Sequence, residues 1–204
     1  TMASKVTFYI ARHGRTILNT LGRVQGWSDS TLTEEGVEVA KYLGIGLQDV
    51  KFTSVYCSDL RRTRQTAQTI LQYQGQKELP IIEKEGFREV CFGSYESNFN
   101  DTMWREAALY LQYTNGEDLI RDIFDATKEV TYEQVVNTVK ILDQLGIAEN
   151  FEEVEKRGQG TLLEIAEAEI EEGKEHNILV VSHGMCIMLM LQNLGGRELL
   201  KDNL

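Results

Sequence analysis

Two histidines occupy matching positions, each at the end of an apolar segment. Residues 6–11 lead directly into Arg12-His13-Gly14, and residues 178–181 lead into Ser182-His183-Gly184. In open α/β sheets, ligand sites form where the strands end at their carboxyl edge. Because the chain has only 3 histidines, this doubling predicts one site that contains both imidazoles.

The residues around His13 indicate chemistry at phosphorus. The guanidinium of Arg12 disfavours a protonated imidazole beside it, and a neutral imidazole is a nucleophile. An arginine fork also matches the geometry of a phosphoryl group. Asn19 follows within hydrogen-bonding reach, so the cluster predicts attack of His13 on a bound phosphoryl group.

A second basic segment, residues 58–67, begins a predicted helix directly after a predicted strand. Free N–H groups at a helix start favour anions, and Arg61, Arg62 and Arg64 all lie in the first turns. Spacing alone does not say which of the three faces the pocket. We expect Asp59 to cap this helix, since a side-chain oxygen there can accept from the first backbone N–H groups.

Four short apolar segments predict strands, and helical patterns lie between them. The strands are predicted over residues 5–11, 53–57, 79–82 and 177–181. Helices are predicted from Thr33 onward, over 60–74, over 162–172 and over 185–194, with residues 15–31 as a loop. Alternation of strands and helices is typical of a mainly parallel sheet. The sequence therefore predicts an α/β protein with a three-layer α/β/α arrangement.

Two of these helices carry an apolar face. In the helix that Thr33 caps, the inward side is predicted to be Val37, Ala40, Tyr42, Leu43 and Leu47. In the helix over 60–74 it is Ala67, Ile70 and Leu71.

Residues 98–157 differ from the rest of the chain, because apolar residues recur there at helical intervals without a strand-like run. We interpret them as a helical cap inserted into a single domain that spans residues 1–204.

The composition narrows the class of protein. A net charge of −11 argues against a nucleic-acid partner or an anionic membrane surface, but a few arginines can still bind a small anion. No apolar stretch approaches the ~20 residues that a membrane helix needs. Cys57, Cys91 and Cys186 lack metal-ligand spacing, so we expect reduced packing thiols and a cytoplasmic location. The oligomeric state stays open.

The two ends of the sequence carry smaller expectations. Thr1-Met2 has the look of added residues, and the abrupt stop at Leu204 is compatible with a longer natural chain.

Five blocks of residues, in order, resemble the histidine phosphatase superfamily, the phosphoglycerate-mutase-like enzymes. They are Arg12-His13-Gly14 with Asn19; Gly22-Arg23-x-Gln25-Gly26-Trp27-x-Asp29-Ser30-x-Leu32-Thr33-x-x-Gly36; Ser58-x-Leu60-x-Arg62-Thr63-x-x-Thr66-Ala67; Glu89-x-x-Phe92-Gly93-x-x-Glu96; and Ser182-His183-Gly184. One tripeptide would be weak, but five ordered blocks along nearly the whole chain are specific.

The resemblance implies a role for each matched residue. His13 would become phosphohistidine, and Glu89 would protonate the leaving oxygen and then activate water. The phosphoryl oxygens would be held by Arg12, Asn19, Arg62 and His183. Substrate contacts would come from Gln25, Gly26 and Gly184. Where the family commonly has Glu or Gln, Arg15 stands here; pointing inward, it would favour substrates with a second anionic group.

The resemblance therefore implies a metal-independent phosphatase, with no cofactor, that hydrolyses a small phosphorylated metabolite. A cofactor-dependent phosphoglycerate mutase is the alternative, because the two classes share the histidine chemistry and differ in the acceptor. The acidic insertion, in which Arg105, Arg121, Lys128 and Lys140 are scattered, favours the phosphatase. A non-catalytic phospho-ligand binder is the third alternative, and the presence of all the reacting residues argues against it.

Overall fold

The central element is a parallel sheet of four strands in the order β1-β4-β2-β3. A computed structural model describes residues 4–171 and 173–195. Residues 1–3 and 196–204, and residue 172 at the end of the predicted helix over 162–172, lie outside the described part. The strands are β1 (Lys5–Arg12), β2 (Ser54–Cys57), β3 (Ile81–Glu83) and β4 (Glu175–Ser182). Each neighbouring pair is parallel, which confirms the predicted α/β class.

The described residues also form eight α-helices. They are α1 (Ile17–Thr20), α2 (Glu34–Gly46), α3 (Arg61–Gln74), α4 (Asn100–Tyr110), α5 (Gly116–Phe124), α6 (Tyr132–Leu142), α7 (Phe151–Glu169) and α8 (Gly184–Gly195). Two 3-10 turns, Glu85–Phe87 and Gly93–Tyr95, stand between β3 and α4. Within the described part of the chain, none of the helices combines the length and apolarity that crossing a membrane requires.

The sheet lies between two helical layers because both of its faces are apolar. On one face, Val55, Cys57, Leu179 and Val181 pack with buried residues of α2 and α3. On the other face, Tyr56, Ile178 and Val180 pack against α7 and α8, through Leu162, Ile165 and Met190. Successive strand residues point to opposite faces, so each strand supplies both cores. This is the predicted three-layer α/β/α arrangement.

Helices α4, α5 and α6 form a cap with a core of its own. Leu119, Ile123, Val135 and Val139 are buried there and join Leu189 of α8 in one apolar cluster. The predicted helical character of this insertion is confirmed. The prediction of a separate helix that starts at Leu162 is wrong, because α7 runs without a break from Phe151 to Glu169. It therefore links the end of the cap region to the sheet layer.

The inward face of α2 also differs from the prediction. Thr33 does cap the helix, accepting from the Gly36 backbone N–H at 3.1 Å. Ala40 is buried and Leu47 packs at the end of the helix, as predicted, whereas Val37, Tyr42 and Leu43 are exposed. Gly36 and Gly44 are the other buried residues of α2. Gly44 lets the α2 backbone approach the Ile70 carbonyl of α3, and Gly36 lets it approach the Arg15 backbone. Small residues therefore form the buried face of α2, and the large apolar residues lie on its exposed side. The predicted loop over 15–31 likewise contains the short helix α1.

The close approach of α2 to α3 is tested by a matched pair of glycine substitutions in one helix. A Cβ at Gly44 would lie 2.5 Å from the Ile70 carbonyl oxygen, whereas at Gly46 nothing lies within 4 Å. We expect Gly44→Ala to lower the free energy of unfolding by about 1–3 kcal/mol through overpacking. Gly46→Ala should be neutral or raise it by up to ~1 kcal/mol, since alanine favours helix. Urea unfolding compares the two, and equal stabilities would contradict the contact.

Candidate active site

Strand pairing brings the two predicted histidines together. Arg12 of β1 is in register with Ser182 of β4, and the His13 backbone N–H donates to the Ser182 carbonyl oxygen at 3.1 Å. The rings of His13 and His183 consequently lie 5.2 Å apart, centroid to centroid, at an angle of 62°. Both side chains are buried, so residues 170 positions apart in the chain share one site at the carboxyl edge of the sheet.

The hydrogen bond of His13 identifies its reactive nitrogen. Nδ1 lies 2.7 Å from the Gly14 carbonyl oxygen, which can only accept, so we assign the ring proton to Nδ1. In a neutral imidazole the other nitrogen, Nε2, then carries the free lone pair. The local chain thus orients His13 as a nucleophile through Nε2.

His183 is held from the neighbouring strand end. Its Nε2 lies 2.7 Å from Ser58 Oγ, which in turn lies 2.8 Å from Thr63 Oγ1. Its Nδ1 is buried without a hydrogen-bond partner among the described residues. A buried polar atom with no partner is uncommon, and at this position it marks an atom available to a ligand.

Both imidazoles are neutral at physiological pH. Burial is the main cause of the low pKa of His13, about 3, and the positive charges of Arg62 and Arg12 lower it further, against the Gly14 carbonyl. Burial and Arg62 also bring the pKa of His183 well below its usual value. From the sequence, the neutral imidazole of His13 is explained by the neighbouring guanidinium, whereas desolvation makes the larger contribution to its low pKa.

Arg62 is fully buried at the start of α3. Its Nη1 donates to the Ser28 carbonyl (2.8 Å) and to Asp29 Oδ1 (2.9 Å). Its Nη2 donates to the carbonyls of Gln25 (3.3 Å) and Gly26 (2.7 Å). The four Nη protons are therefore used, while the fifth donor, Nε, is buried without a partner. Among the three arginines that the sequence left open, Arg62 is the one at the site.

The loop over residues 25–30 is built around that guanidinium. Asp29 Oδ2 accepts from the Arg61 backbone N–H at 2.6 Å, so Asp29 caps α3 from a distant segment. Glu96 accepts from the backbone N–H groups of Gly26, Trp27 and Ser28 at 3.0, 3.2 and 2.9 Å. Sequence reasoning assigned no role to these two acids, and their place in the matched blocks was the available signal.

A cleft of about 270 Å³ opens beside His13 and is lined by Arg12, His13, Arg15 and Asn19. The side-chain Oδ1 of Asn19 accepts from the Thr16 backbone N–H at 3.1 Å, which leaves the side-chain amide nitrogen to donate into the cleft. Arg12 is exposed, and among the described residues no carboxylate lies within ion-pair distance of it. Arg15 is paired only with exposed Glu35, at 3.5 Å, a weak pair by its exposure. The cleft is therefore rich in hydrogen-bond donors.

The carboxyl group of Glu89 lies at the N-terminus of α8, which begins directly after His183. Oε1 accepts from the backbone N–H of Cys186 (2.8 Å) and Val90 (2.9 Å), and Oε2 accepts from that of Met185 (3.1 Å). Burial raises the pKa of this carboxyl group against the effect of those three N–H groups. A buried carboxyl group with a raised pKa near a nucleophile is a candidate proton donor.

One other prediction, for Asp59, is wrong, and three predicted substrate contacts are not tested by the structure. Asp59 does not cap α3, because its carboxylate binds Arg88 with two hydrogen bonds of 2.8 Å, and the cap position is Leu60. The Gln25 amide bonds Thr16 and Ser30, and buried Gly26 lies behind Arg62. A Cβ at Gly184 would lie 3.4 Å from Arg12 Nε. Substrate contacts by Gln25, Gly26 and Gly184 stay predictions.

Predictions from the sequence also concern the cysteines and metal ligands among the described residues. Cys57, Cys91 and Cys186 are free and buried, as expected for packing residues. Over residues 4–171 and 173–195, no three His, Cys, Asp or Glu side chains converge in a way that could hold a metal ion.

Comparison with known proteins gives consistent matches. The sequence profile of the histidine phosphatase superfamily (branch 1) matches residues 8–202. A protein named probable phosphoglycerate mutase GpmB from Erwinia tasmaniensis is 37% identical over 105 residues, 48% of this chain and 47% of that relative. The matched region thus spans about half the length of such curated relatives.

Solved structures match over more of the chain. The crystal structure of phosphoglycerate mutase from Bacillus anthracis has a TM-score of 0.87 and 35% identity, and the match covers 96% of this chain and 83% of that one. A mycobacterial glucosyl-3-phosphoglycerate phosphatase has a TM-score of 0.66 and 22% identity over 91% of this chain and 80% of its own. The second likeness shows the shared fold.

The lowered pKa of His13 predicts a loss of stability in mild acid. Below pH 6.5 the unfolded chain takes up a proton on His13 that the native state refuses until about pH 3. The free energy of unfolding should therefore fall by up to about 1.4 kcal/mol per pH unit for this residue as the pH drops below 6. Urea unfolding of the wild type and His13→Gln from pH 7 to 5 isolates the contribution, because the other groups are shared. Identical slopes would mean that His13 titrates normally.

Proposed function

The chain belongs to the histidine phosphatase superfamily, and we propose that it hydrolyses a small phosphate monoester through a phosphohistidine on His13. One observation carries the proposal: Arg62 Nε and His183 Nδ1 are buried without a hydrogen-bond partner in the described part of the chain. The charge of Arg62 acts on His13, and the ring of His183 lies 5.2 Å from that of His13. A phosphoryl group beside His13 would satisfy both donors.

In the first step, Nε2 of His13 attacks phosphorus and the ester P–O bond breaks. Phosphorylation makes the imidazole cationic, and the Gly14 carbonyl, 2.7 Å from Nδ1, stabilises that charge. Arg62 Nε, His183 Nδ1 and the Asn19 amide donate to the equatorial oxygens, with Arg12 at the open side. Positioning and charge neutralisation of this kind supply most of the catalysis in phosphoryl transfer.

Glu89 gives its proton to the leaving oxygen. An alkoxide leaves poorly unless it is protonated, and the raised pKa of Glu89 favours the proton-bearing form needed for this step. In the second step, Glu89 removes a proton from water as the water attacks phosphorus. The P–N bond then breaks, inorganic phosphate leaves, and His13 regains its lone pair. The guanidiniums of Arg12 and Arg62 neutralise the phosphoryl charge and the neutral His183 donates a hydrogen bond to it, so the proposed mechanism needs no metal.

The phosphohistidine is tested by trapping. The wild type, mixed with p-nitrophenyl phosphate and quenched in alkali, should carry one acid-labile phosphoryl group on the peptide that contains His13. His13→Gln should carry none and should lose turnover, because no other nucleophile replaces Nε2. His176→Gln, on β4 away from the site, is the matched histidine control and should behave as wild type. Full turnover by His13→Gln would refute the mechanism.

The substrates should carry a second anionic group. Arg15 lines the cleft with His13 and is held only by Thr20, at 3.2 Å, and by exposed Glu35. Arg12 is occupied by the phosphoryl group in this mechanism, so Arg15 is left to receive a carboxylate or second phosphate at the mouth of the cleft. A planar guanidinium suits either group.

This preference is measured with a matched pair of esters, 2-phosphoglycolate and 2-hydroxyethyl phosphate. Arg15→Gln should lower kcat/KM for the carboxylate ester by about tenfold, equivalent to ~1.4 kcal/mol, with little change for the alcohol. Glu35→Gln should act in the opposite direction, because it removes the competing carboxylate from Arg15. Equal changes on both esters would show that Arg15 does not select the second anion.

A phosphoglycerate mutase is the second candidate function, favoured by the 35% identical structure. The same His13 chemistry would serve it, with a substrate hydroxyl as acceptor in place of water. The acidic cap argues for the phosphatase, since a mutase must hold both ends of a phosphoglycerate. Isomerisation of 3-phosphoglycerate faster than phosphate release would decide for the mutase.

A further inference from the structure

Arg157 of α7 binds the chain segment that carries Glu89. Its Nη1 donates to the carbonyl oxygens of Gly86 (2.9 Å) and Arg88 (2.7 Å). Its Nη2 donates to the carbonyl oxygen of Glu89 itself at 2.8 Å. Residues 88–92 form neither helix nor strand, so their backbone groups need partners from elsewhere. One guanidinium supplies partners for two of them, the carbonyls of Arg88 and Glu89, and for the preceding carbonyl of Gly86.

Glu149 completes the clamp from the residues that precede α7. Its carboxylate accepts from Arg157 Nε and Nη2, both at 2.8 Å, and Oε1 also accepts from the Cys91 backbone N–H at 3.0 Å. The Glu149 backbone N–H donates to the Cys91 carbonyl, again at 3.0 Å. The ion pair is mostly buried. The two residues therefore hold the backbone on both sides of Glu89.

The position of the Glu89 backbone decides where its carboxyl group can lie. The carboxyl group accepts from the N–H groups of Met185 and Cys186 in α8. The backbone carbonyl oxygen of Glu89 accepts from Arg157 Nη2 at 2.8 Å and from Trp27 Nε1 at 3.0 Å. A shift of the segment by a fraction of an ångström would move the carboxyl group relative to the leaving oxygen, whereas His13 and His183 are held by hydrogen bonds to other segments.

We propose that the Arg157–Glu149 pair is a positioning device for the acid, which sets the proton-transfer geometry of Glu89 and leaves attack by His13 unaffected. This inference rests on the role proposed for Glu89. Because Glu149 lies between α6 and α7, where the cap returns to the sheet layer, the device also ties the acid to the cap region.

The test compares two esters that differ in their need for a proton. p-Nitrophenolate leaves without protonation, whereas the alkoxide of 2-hydroxyethyl phosphate requires it. kcat/KM is the quantity to measure, since it reports the first phosphoryl transfer and not the later attack of water. For Arg157→Gln we expect a loss of about 100-fold on the alkyl ester, as for a misplaced catalytic group, and less than about fivefold on the aryl ester.

Further variants separate positioning from folding. Glu149→Gln keeps the side-chain shape but removes the charge, and should show the same selectivity with a loss of about tenfold. Arg157→Lys should rescue part of the activity, because a lysine ammonium can still donate to the carbonyls but not as a bidentate fork. The matched control is Lys84→Gln, which breaks the exposed Lys84–Glu164 pair between the same segment and α7 without touching those carbonyls. It should behave as wild type.

A double variant tests whether Arg157 acts through Glu89. In Glu89→Gln, which should lose the alkyl ester selectively, adding Arg157→Gln should cause no further selective loss. Equal losses on both esters in the Arg157 and Glu149 variants would assign the pair a structural role and overturn the inference, while the proposed mechanism stood. A Glu89→Gln variant without selective loss would instead remove Glu89 as the acid, and with it the device.

Discussion

The parallel pairing of β4 with both β1 and β2 is the constraint on which the site depends. Beyond the last paired residues, the Ser182 carbonyl accepts from His13 N–H at 3.1 Å and the Val181 carbonyl accepts from Ser58 N–H at 3.2 Å. Those two bonds bring three strand ends to one edge of the sheet. A slip of one residue in either register would turn a site side chain to the opposite face, so the nucleophile and its neighbours depend on the apolar strands beneath them.

Burial then gives those side chains their chemical character. It lowers the pKa of both histidines, raises that of Glu89, and leaves Arg62 charged among carbonyls and Asp29. One desolvated environment thus yields a neutral nucleophile, an acid that tends to keep its proton, and a cation whose interactions are little screened. A more open site would offer the same residue types without these ionisation states.

Much of the fold could be predicted from local sequence patterns. The features that could not be predicted depend on contacts between residues far apart in the chain. Apolar runs predict the four strands and their ends, hence the meeting of His13 with His183. The cap of α3 was assigned to neighbouring Asp59, whereas Asp29, 32 residues away, accepts from the Arg61 N–H. The buried face of α2 depends on how closely α3 approaches. The bonds from Arg157 to Gly86, Arg88 and Glu89 span 68 to 71 residues. Spacing along a chain carries no information on such pairings.

Residues other than those at the strand ends must determine whether water or a second hydroxyl accepts the phosphoryl group. In the proposed mechanism, His13, Arg62 and His183 hold and transfer a phosphoryl group in the same way whatever accepts it, and Glu89 serves as acid and then as base in either reaction. Residues that differ between the two activities must therefore meet the part of the substrate beyond the phosphate. In this chain those are Arg15 at the cleft mouth and the cap. In the proposed arrangement the cap region is joined to Glu89 through Glu149 and Arg157, so a substrate contact made on the cap would act on proton transfer by Glu89.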